Sequence, residues 1–316
     1  MLQAGPVIAA IRHPARLVPA KKSIMMDLET YKKRVREFCP DLNIESAELN
    51  SEGLLNDVVV INRDFVFRFA KHEYGYKDPK EEALVLRLLR RYISLPIPEP
   101  FFDSHDALAY RFIPGEALRR DMLMKLTESN QQQIADQLAR FCRELHNVPV
   151  NGTTNDELPM ADALMKYEGW LNVYERICEK VFPLLQRHQR EWATEHFESQ
   201  LADRSNFEYE LRMVDTDLAP YHIMFDQEKS RISGIIDFGC AGLGDPAIDF
   251  GVVINAYGES FLNRFYDVYP EAEGYLKRAR FYAGAIELRW VLQGIERGDQ
   301  IWFAAHIGGA RDMKYA

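Results

Sequence analysis

With 316 residues, an apolar fraction of 47% and 12% aromatics, the chain is long enough for two packed units with a substantial core. Its net charge of −9 argues against a nucleic-acid-binding surface, which needs a basic patch, and is compatible with a cationic substrate. No apolar run approaches the ~18 residues that suggest a membrane span. The four cysteines, Cys39, Cys142, Cys178 and Cys240, are spaced for neither a zinc site nor a disulfide framework, which fits free thiols in a reducing cytoplasm.

Residues 1–26 differ from the rest: Arg12, Arg16, Lys21 and Lys22 occur with no acid before Asp27. They read as a poorly ordered leader, with Met25 or Met26 as the natural start. A transit peptide is the alternative. From Asp27 to Phe38 the spacing of Leu28, Tyr31, Val35 and Phe38 predicts an amphipathic helix, ended by Pro40. A strand is expected over Ile44–Leu49, then a loop through Ser51 and Gly53. Strands Asp57–Ile61 and Phe65–Ala70 follow, joined by the turn Asn62-Arg63-Asp64. Alternation puts Arg68 and Lys71 on opposite faces of the second of these. A helix over Pro79–Tyr92 begins with Pro in its first turn, with Leu84, Leu88 and Arg91 following Glu81 on one stripe. Pro96 to Pro100 is a stiff link. Strands begin at Phe101 and run over Ala107–Phe112, and Ile113-Pro114-Gly115 marks a boundary between lobes. After Gly115 the chain is expected to be helical. Ile134, Leu138, Phe141, Cys142 and Leu145 form one stripe, closed by a structural His146. In the helical stretch Met160–Gln200, Trp170, Tyr174 and Phe182 read as core.

The most informative stretch runs from Val214 to Asp249. Two short apolar runs, Ile223–Phe225 and Ile232–Ile236, flank the polar Asp226–Arg231, the pattern of a β-hairpin. Asp217 and His222 precede the first strand and Asp237 follows the second. Both ends of an antiparallel hairpin emerge on one side, so two carboxylates and an imidazole should converge. Such a set suits a divalent metal shared with phosphate oxygens, plus a carboxylate free to accept a hydroxyl proton. Ordinary polar residues capping a surface hairpin are the bland alternative. Cys240, directly after Asp237-Phe238-Gly239, is either a reactive thiol or a small buried residue. The late helix places Tyr275, Ala279, Tyr282, Ala283, Ile286 and Trp290 on one stripe, with Glu287 beside it.

Asp217 to His222, the strand–turn–strand and Asp237-Phe238-Gly239 follow one another as the phosphoryl-transfer parts of protein kinases do. With Gly244-Asp245-Pro246 and Asp249, the chain resembles the aminoglycoside phosphotransferases, small-molecule kinases, over roughly residue 44 to the C-terminus. His222 at the last loop position matches their 2″ subgroup. The resemblance implies an α+β, two-lobed protein-kinase-like fold: an antiparallel-sheet N-lobe over 27–113 and a mainly helical C-lobe over 114–316. It implies Asp217 as the base, His222 and Asp237 as ligands of Mg²⁺, and Asp249 as a structural carboxylate. It places Arg68 where the family has its phosphate-pairing lysine, and Glu82, or less favourably Glu81, as the partner of that cation. A solvated acid in the first helical turn is the competing reading of either Glu. Ser51 would approach the phosphates, and the backbone of Tyr110, Arg111 and Ile113 would bond the base of ATP or GTP. Glu287 and Trp290 would contact a cationic sugar, against Trp290 in the core and Glu287 in a surface ion pair. Asp215 stands where the family has His, which puts an extra charge beside Asp217. The implied activity is transfer of a γ-phosphoryl group to an aminoglycoside hydroxyl. Another small alcohol (a sugar, choline, homoserine) or nucleotide binding with little turnover are the alternatives.

Overall fold

The structure, a computed structural model, describes residues 26–51, 55–71, 77–150, 158–161, 165–300, 303, 306 and 307. The predicted leader, Met26 apart, and the Gly53 part of the first loop lie outside them.

Helix α1 (Leu28–Phe38) starts where the Asp27 carboxylate accepts the Thr30 N–H at 2.8 Å, satisfying one of the first-turn donors. Strand β1 (Ala47–Asn50) begins later than the sequence suggests. The Asn62 side chain accepts the Glu45 and Ser46 N–H groups at 2.8 and 2.9 Å and holds the preceding residues out of the ladder. Strands β2 (Asn56–Ile61) and β3 (Phe65–Ala70) meet through Asn62 and Arg63, both at φ 56°, the mirror-image turn that matches strand twist. After helix α2 (Pro79–Leu89), β4 (Pro100–Asp103) and β5 (Ala107–Arg111) complete an antiparallel five-stranded sheet of order β1-β2-β3-β5-β4.

Alternation along β3 decides what this sheet presents. Phe67 and Phe69 pack with Tyr31 and Val35 of α1, each large apolar side chain contributing roughly 1.5–3 kcal/mol on burial. Val66 and Arg68 face the other way, toward α2. The buried stripe of α2 is Glu82, Val85, Leu86 and Leu89, a clean i, i+3, i+4, i+7 face. Leu84, on the Glu81 stripe, is 36% exposed, because the helix is turned so that Glu82, the favoured partner, looks at the sheet and Glu81 does not. The helix also stops short of Tyr92, its end tightening into i→i−3 bonds from Arg91 and Tyr92.

Gly115 does not begin a purely helical unit. Strand β6 (Glu116–Ala117) first pairs with a hairpin lying more than a hundred residues on. Short α3 (Arg120–Leu123), then α4 (Glu128–His146), α5 (Tyr167–Lys180) and α6 (Arg187–Leu201) follow. Strand β7 (Arg212–Val214) leads to the hairpin of β8 (Ile223–Asp226) and β9 (Arg231–Ile235). Strand β10 (Gly242–Gly244) returns to β7, and α7 (Ala247–Tyr257), α8 (Glu259–Leu262) and α9 (Leu276–Arg297) close the chain. Trp170 is wholly buried and packs edge-on against Phe281 of α9, while Tyr174 and Phe182 pack on the rim of the same cluster. Helix α9 buries Phe281, Ala285, Leu288 and Leu292 as well as Ala279, Tyr282 and Ile286, so more of its circumference is covered than the single predicted stripe. Among the described residues, no helix is long and apolar enough to cross a membrane.

The two halves touch where β9 passes the Ile113 segment. A Cβ on Gly234 would lie 2.7 Å from Pro96 O and from the Ile113 side chain, so only glycine permits this approach. The β-rich first half, helix-rich second half and hairpin between them constitute the expected two-lobed α+β fold.

Candidate active site

The loop between β7 and β8 is pinned from beneath. Asp249, in the first turn of α7, accepts the backbone N–H groups of Asp215 at 3.2 Å and Thr216 at 2.7 Å. It is itself held by His146 Nε2 at 2.9 Å, whose other ring nitrogen meets the Tyr269 hydroxyl at 3.2 Å. Thr216 sits at φ 66°, an unfavourable region for a β-branched residue, and its hydroxyl donates to Cys240 O at 3.2 Å. Strained backbone of this kind persists where surrounding bonds over-determine it. These bonds fix the direction in which Asp217 leaves the loop.

A 3₁₀ turn over Pro220–His222 then brings the imidazole back. His222 Nδ1 donates to the Asp217 carbonyl oxygen at 2.9 Å, since a carbonyl can only accept. That bond sets the tautomer and leaves Nε2 with its lone pair. Nε2 faces Asp237 Oδ2 at 3.6 Å, and Nδ1 is 3.6 Å from Asp217 Oδ2. The Ile236 N–H donates to His222 O at 2.9 Å and locks the two ends of the hairpin together. Asp237 itself is at φ 65°. The structure thus brings Asp217, His222 and Asp237 together.

Arg68 and Glu82 join them from the first half of the chain. Arg68, 4% exposed, donates Nη1 to Glu82 Oε1 at 2.5 Å and Nη2 to Asp237 Oδ1 at 2.7 Å. Glu82 Oε1 also accepts the Phe238 N–H at 3.3 Å. Burial alone would push the Asp237 carboxyl up, but the Arg68 guanidinium outweighs it and holds the group below the usual carboxylate range. Asp237 is therefore an anion with Oδ1 committed to Arg68 and Oδ2 facing His222. Lys71 lies on the opposite face of the sheet, with Asp57 at 3.2 Å and Ser51 O at 2.7 Å. Lys77 donates to Gly239 O, a tie between the halves that no sequence pattern announced.

Asp215 behaves differently from expectation. It is 0% exposed, and neither carboxylate oxygen has a hydrogen-bond partner among the described residues. Burial foremost, then the charge of Asp249, raises its pKa well above the ordinary 3.8, which favours the neutral form and works against an extra charge beside Asp217.

The remaining predicted side chains are dispersed. Tyr110 is buried on the Arg68 face of β5. Arg111 points outward, its guanidinium 4.8 Å from the Phe65 ring, and Ile113 packs on Gly234. Glu287 is 7% exposed rather than in a surface pair. It accepts from Asn255 at 3.4 Å and meets His306 Nδ1 at 3.1 Å. Trp290 is half-buried, its ring 4.7 Å from that of His306. The roles of Asn255 and His306 had no sequence signal, because neither belongs to a motif. Cys240 is half-buried.

A kinase-like pair of lobes, with an acid, an imidazole and a second acid at a hairpin mouth and a guanidinium–carboxylate pair reaching in from the sheet, defines a phosphoryl-transfer enzyme. The chain belongs to the phosphotransferase enzyme family, whose sequence model matches residues 46–283. It is 26% identical over 299 residues to viomycin phosphotransferase of Streptomyces vinaceus, covering 91% of this chain and 100% of that protein. It is 26% identical over 205 residues to an aminoglycoside 3′-phosphotransferase of Streptomyces fradiae, covering 60% of this chain and 72% of the other. Among solved structures, the GDP complex of aminoglycoside 2′-phosphotransferase-IIIa superposes with a TM-score of 0.82 at 25% identity, covering 92% of this chain and 99% of that one. A GDP and kanamycin complex of an APH(2″) enzyme superposes with a TM-score of 0.80 at 26% identity, covering 90% and 98%.

Proposed function

We propose that the protein transfers the γ-phosphoryl group of ATP or GTP to a hydroxyl of an aminoglycoside. The observation that carries this reading is the convergence of Asp217, His222 Nε2 and Asp237 Oδ2 at one hairpin mouth. Asp217 accepts or orients the proton of the attacking hydroxyl. His222 and Asp237 are the residues that would hold Mg²⁺. Nε2 and Oδ2 both present lone pairs across 3.6 Å, and Mg²⁺ characteristically takes few protein ligands beside phosphate and water. When bound, Mg²⁺ neutralises charge on the phosphates.

Arg68 orients Asp237 and, with Glu82, keeps a cation at the phosphate side of the cleft. Ser51 borders the phosphates, and the backbone of Tyr110, Arg111 and Ile113 bonds the nucleotide base. Residues 27–113 form the nucleotide lobe and 114–316 the catalytic and acceptor lobe. Glu287 and Trp290 face a cationic acceptor, which the net charge of −9 favours. The site of action is the cytoplasm, where nucleoside triphosphates are available. Little in the protein does covalent chemistry. Positioning and charge neutralisation carry the reaction.

One observation favours a second reading, nucleotide binding with little turnover: the Arg68 guanidinium is already engaged by Glu82 and Asp237. A turnover screen with ATP and GTP against kanamycin, other aminoglycosides and simple alcohols separates the two. Phosphorylated aminoglycoside supports the proposal. Nucleotide binding without product across the whole panel supports the alternative.

A further inference from the structure

Tyr221 is 57% exposed, although it lies inside the loop that carries the base and the imidazole. It belongs to none of the three apolar clusters, so core packing does not account for a large aromatic ring here. Its ring stands edge-to-face on His222, with centroids 4.4 Å apart and planes at 82°, which restricts its rotation. The Pro220–His222 turn holds its backbone. Its hydroxyl lies in the field of Asp217, Asp237, Cys240 and Glu287.

An exposed aromatic ring with three carboxylates within electrostatic range is suited to binding a cation. The ring offers its quadrupole, and the acids supply counter-charge at longer range. We infer that Tyr221 is a specificity residue whose exposed face takes an ammonium or guanidinium group of the acceptor, with Glu287 on the other side of that cation. This rests on the proposed function and extends it, since neither Glu287 nor Trp290 lies in the catalytic loop itself. A neutral alcohol would gain nothing from the contact, so Tyr221 biases the enzyme toward polycationic acceptors.

The test is steady-state kinetics of the full chain with Mg²⁺-nucleotide and kanamycin, comparing Tyr221→Leu with Tyr221→Phe. Leu removes the π face at similar bulk, and Phe keeps it. The expected result is a roughly 5- to 30-fold rise in the KM for kanamycin in the Leu variant. The Phe variant stays within about twofold of wild type, and the nucleotide KM moves by less than about twofold in both. An unchanged kanamycin KM in Tyr221→Leu overturns the inference. So does a Phe variant as impaired as Leu, which would make the hydroxyl and not the ring the contact. A nucleotide KM that rises in step with the acceptor KM overturns it too, by showing a loop-wide structural effect. If wild type phosphorylates kanamycin and Tyr221→Leu is silent, only this inference falls. If wild type phosphorylates no cationic acceptor, the proposed function falls with it.

Discussion

Asp215→Asn is expected to stabilise the fold increasingly as pH rises. The folded acid is wholly buried, unpartnered among the described residues and pushed toward its protonated form by burial and by Asp249. An unfolded aspartate titrates near pH 3.9. Above that value, folding must take up a proton at this site, and each further pH unit costs about 1.4 kcal/mol while the folded acid stays neutral. The sign follows from the raised folded pKa of an acid. The cost is absent below the unfolded pKa and grows as pH rises toward the folded one. Asparagine keeps the shape and removes the titration, at a pH-independent cost of roughly 1–3 kcal/mol for its unsatisfied amide. The pH-independent cost offsets part of that gain at every pH, so the prediction lies in how the difference from wild type grows with pH. Between about pH 5 and about pH 6.5 the variant should gain roughly 2 kcal/mol on wild type, a relative Tm shift of about 3 °C for a chain of this size. Thermal unfolding followed by circular dichroism at several pH values measures it. A Tm difference that stays flat across that range would show Asp215 ionised in the folded protein, and the reasoning fails.

Other perturbations follow from the same geometry. Asp237→Ala should abolish the Mg²⁺ dependence of nucleotide affinity, read by calorimetric titration with and without the ion. An unchanged dependence counts against Asp237 as a ligand. Arg68→Ala leaves Glu82 buried without its cation at 2.5 Å and should cost roughly 3–5 kcal/mol in urea unfolding; a loss below about 1 kcal/mol would mean the pair is not buried as described. Asp249→Ala removes the acceptor of two loop N–H groups and should lower kcat more than it raises either KM. A pure KM effect would contradict its role in aiming Asp217.

Much of this site was legible because its parts are local. The hairpin is written in two apolar runs around a polar turn, and a hairpin necessarily returns its ends to one side. The Arg68–Glu82 pair was legible through the family resemblance, while strand alternation only separated Arg68 from Lys71 and helical spacing alone left Glu81 and Glu82 both open. Only the bond from Arg68 of β3 shows that the helix is turned to bury Glu82, with Leu84 left partly exposed. Long-range features left less trace. Strand β6 is two residues long and exists only because β8 lies beside it. The shift of Asp215 toward its neutral form depends on burial and on Asp249, 34 positions later. Tyr221 sits in the motif but has no periodicity to mark it, so its exposure had to be seen.

The most direct test is a single-turnover comparison of wild type and Asp217→Asn, with γ-labelled nucleotide, Mg²⁺ and kanamycin. Wild type should move the label from nucleotide to the aminoglycoside. The variant should bind both ligands yet transfer the label roughly 10²–10⁴ times more slowly. Transfer by Asp217→Asn at the wild-type rate would contradict the placement of the base at the mouth of the hairpin.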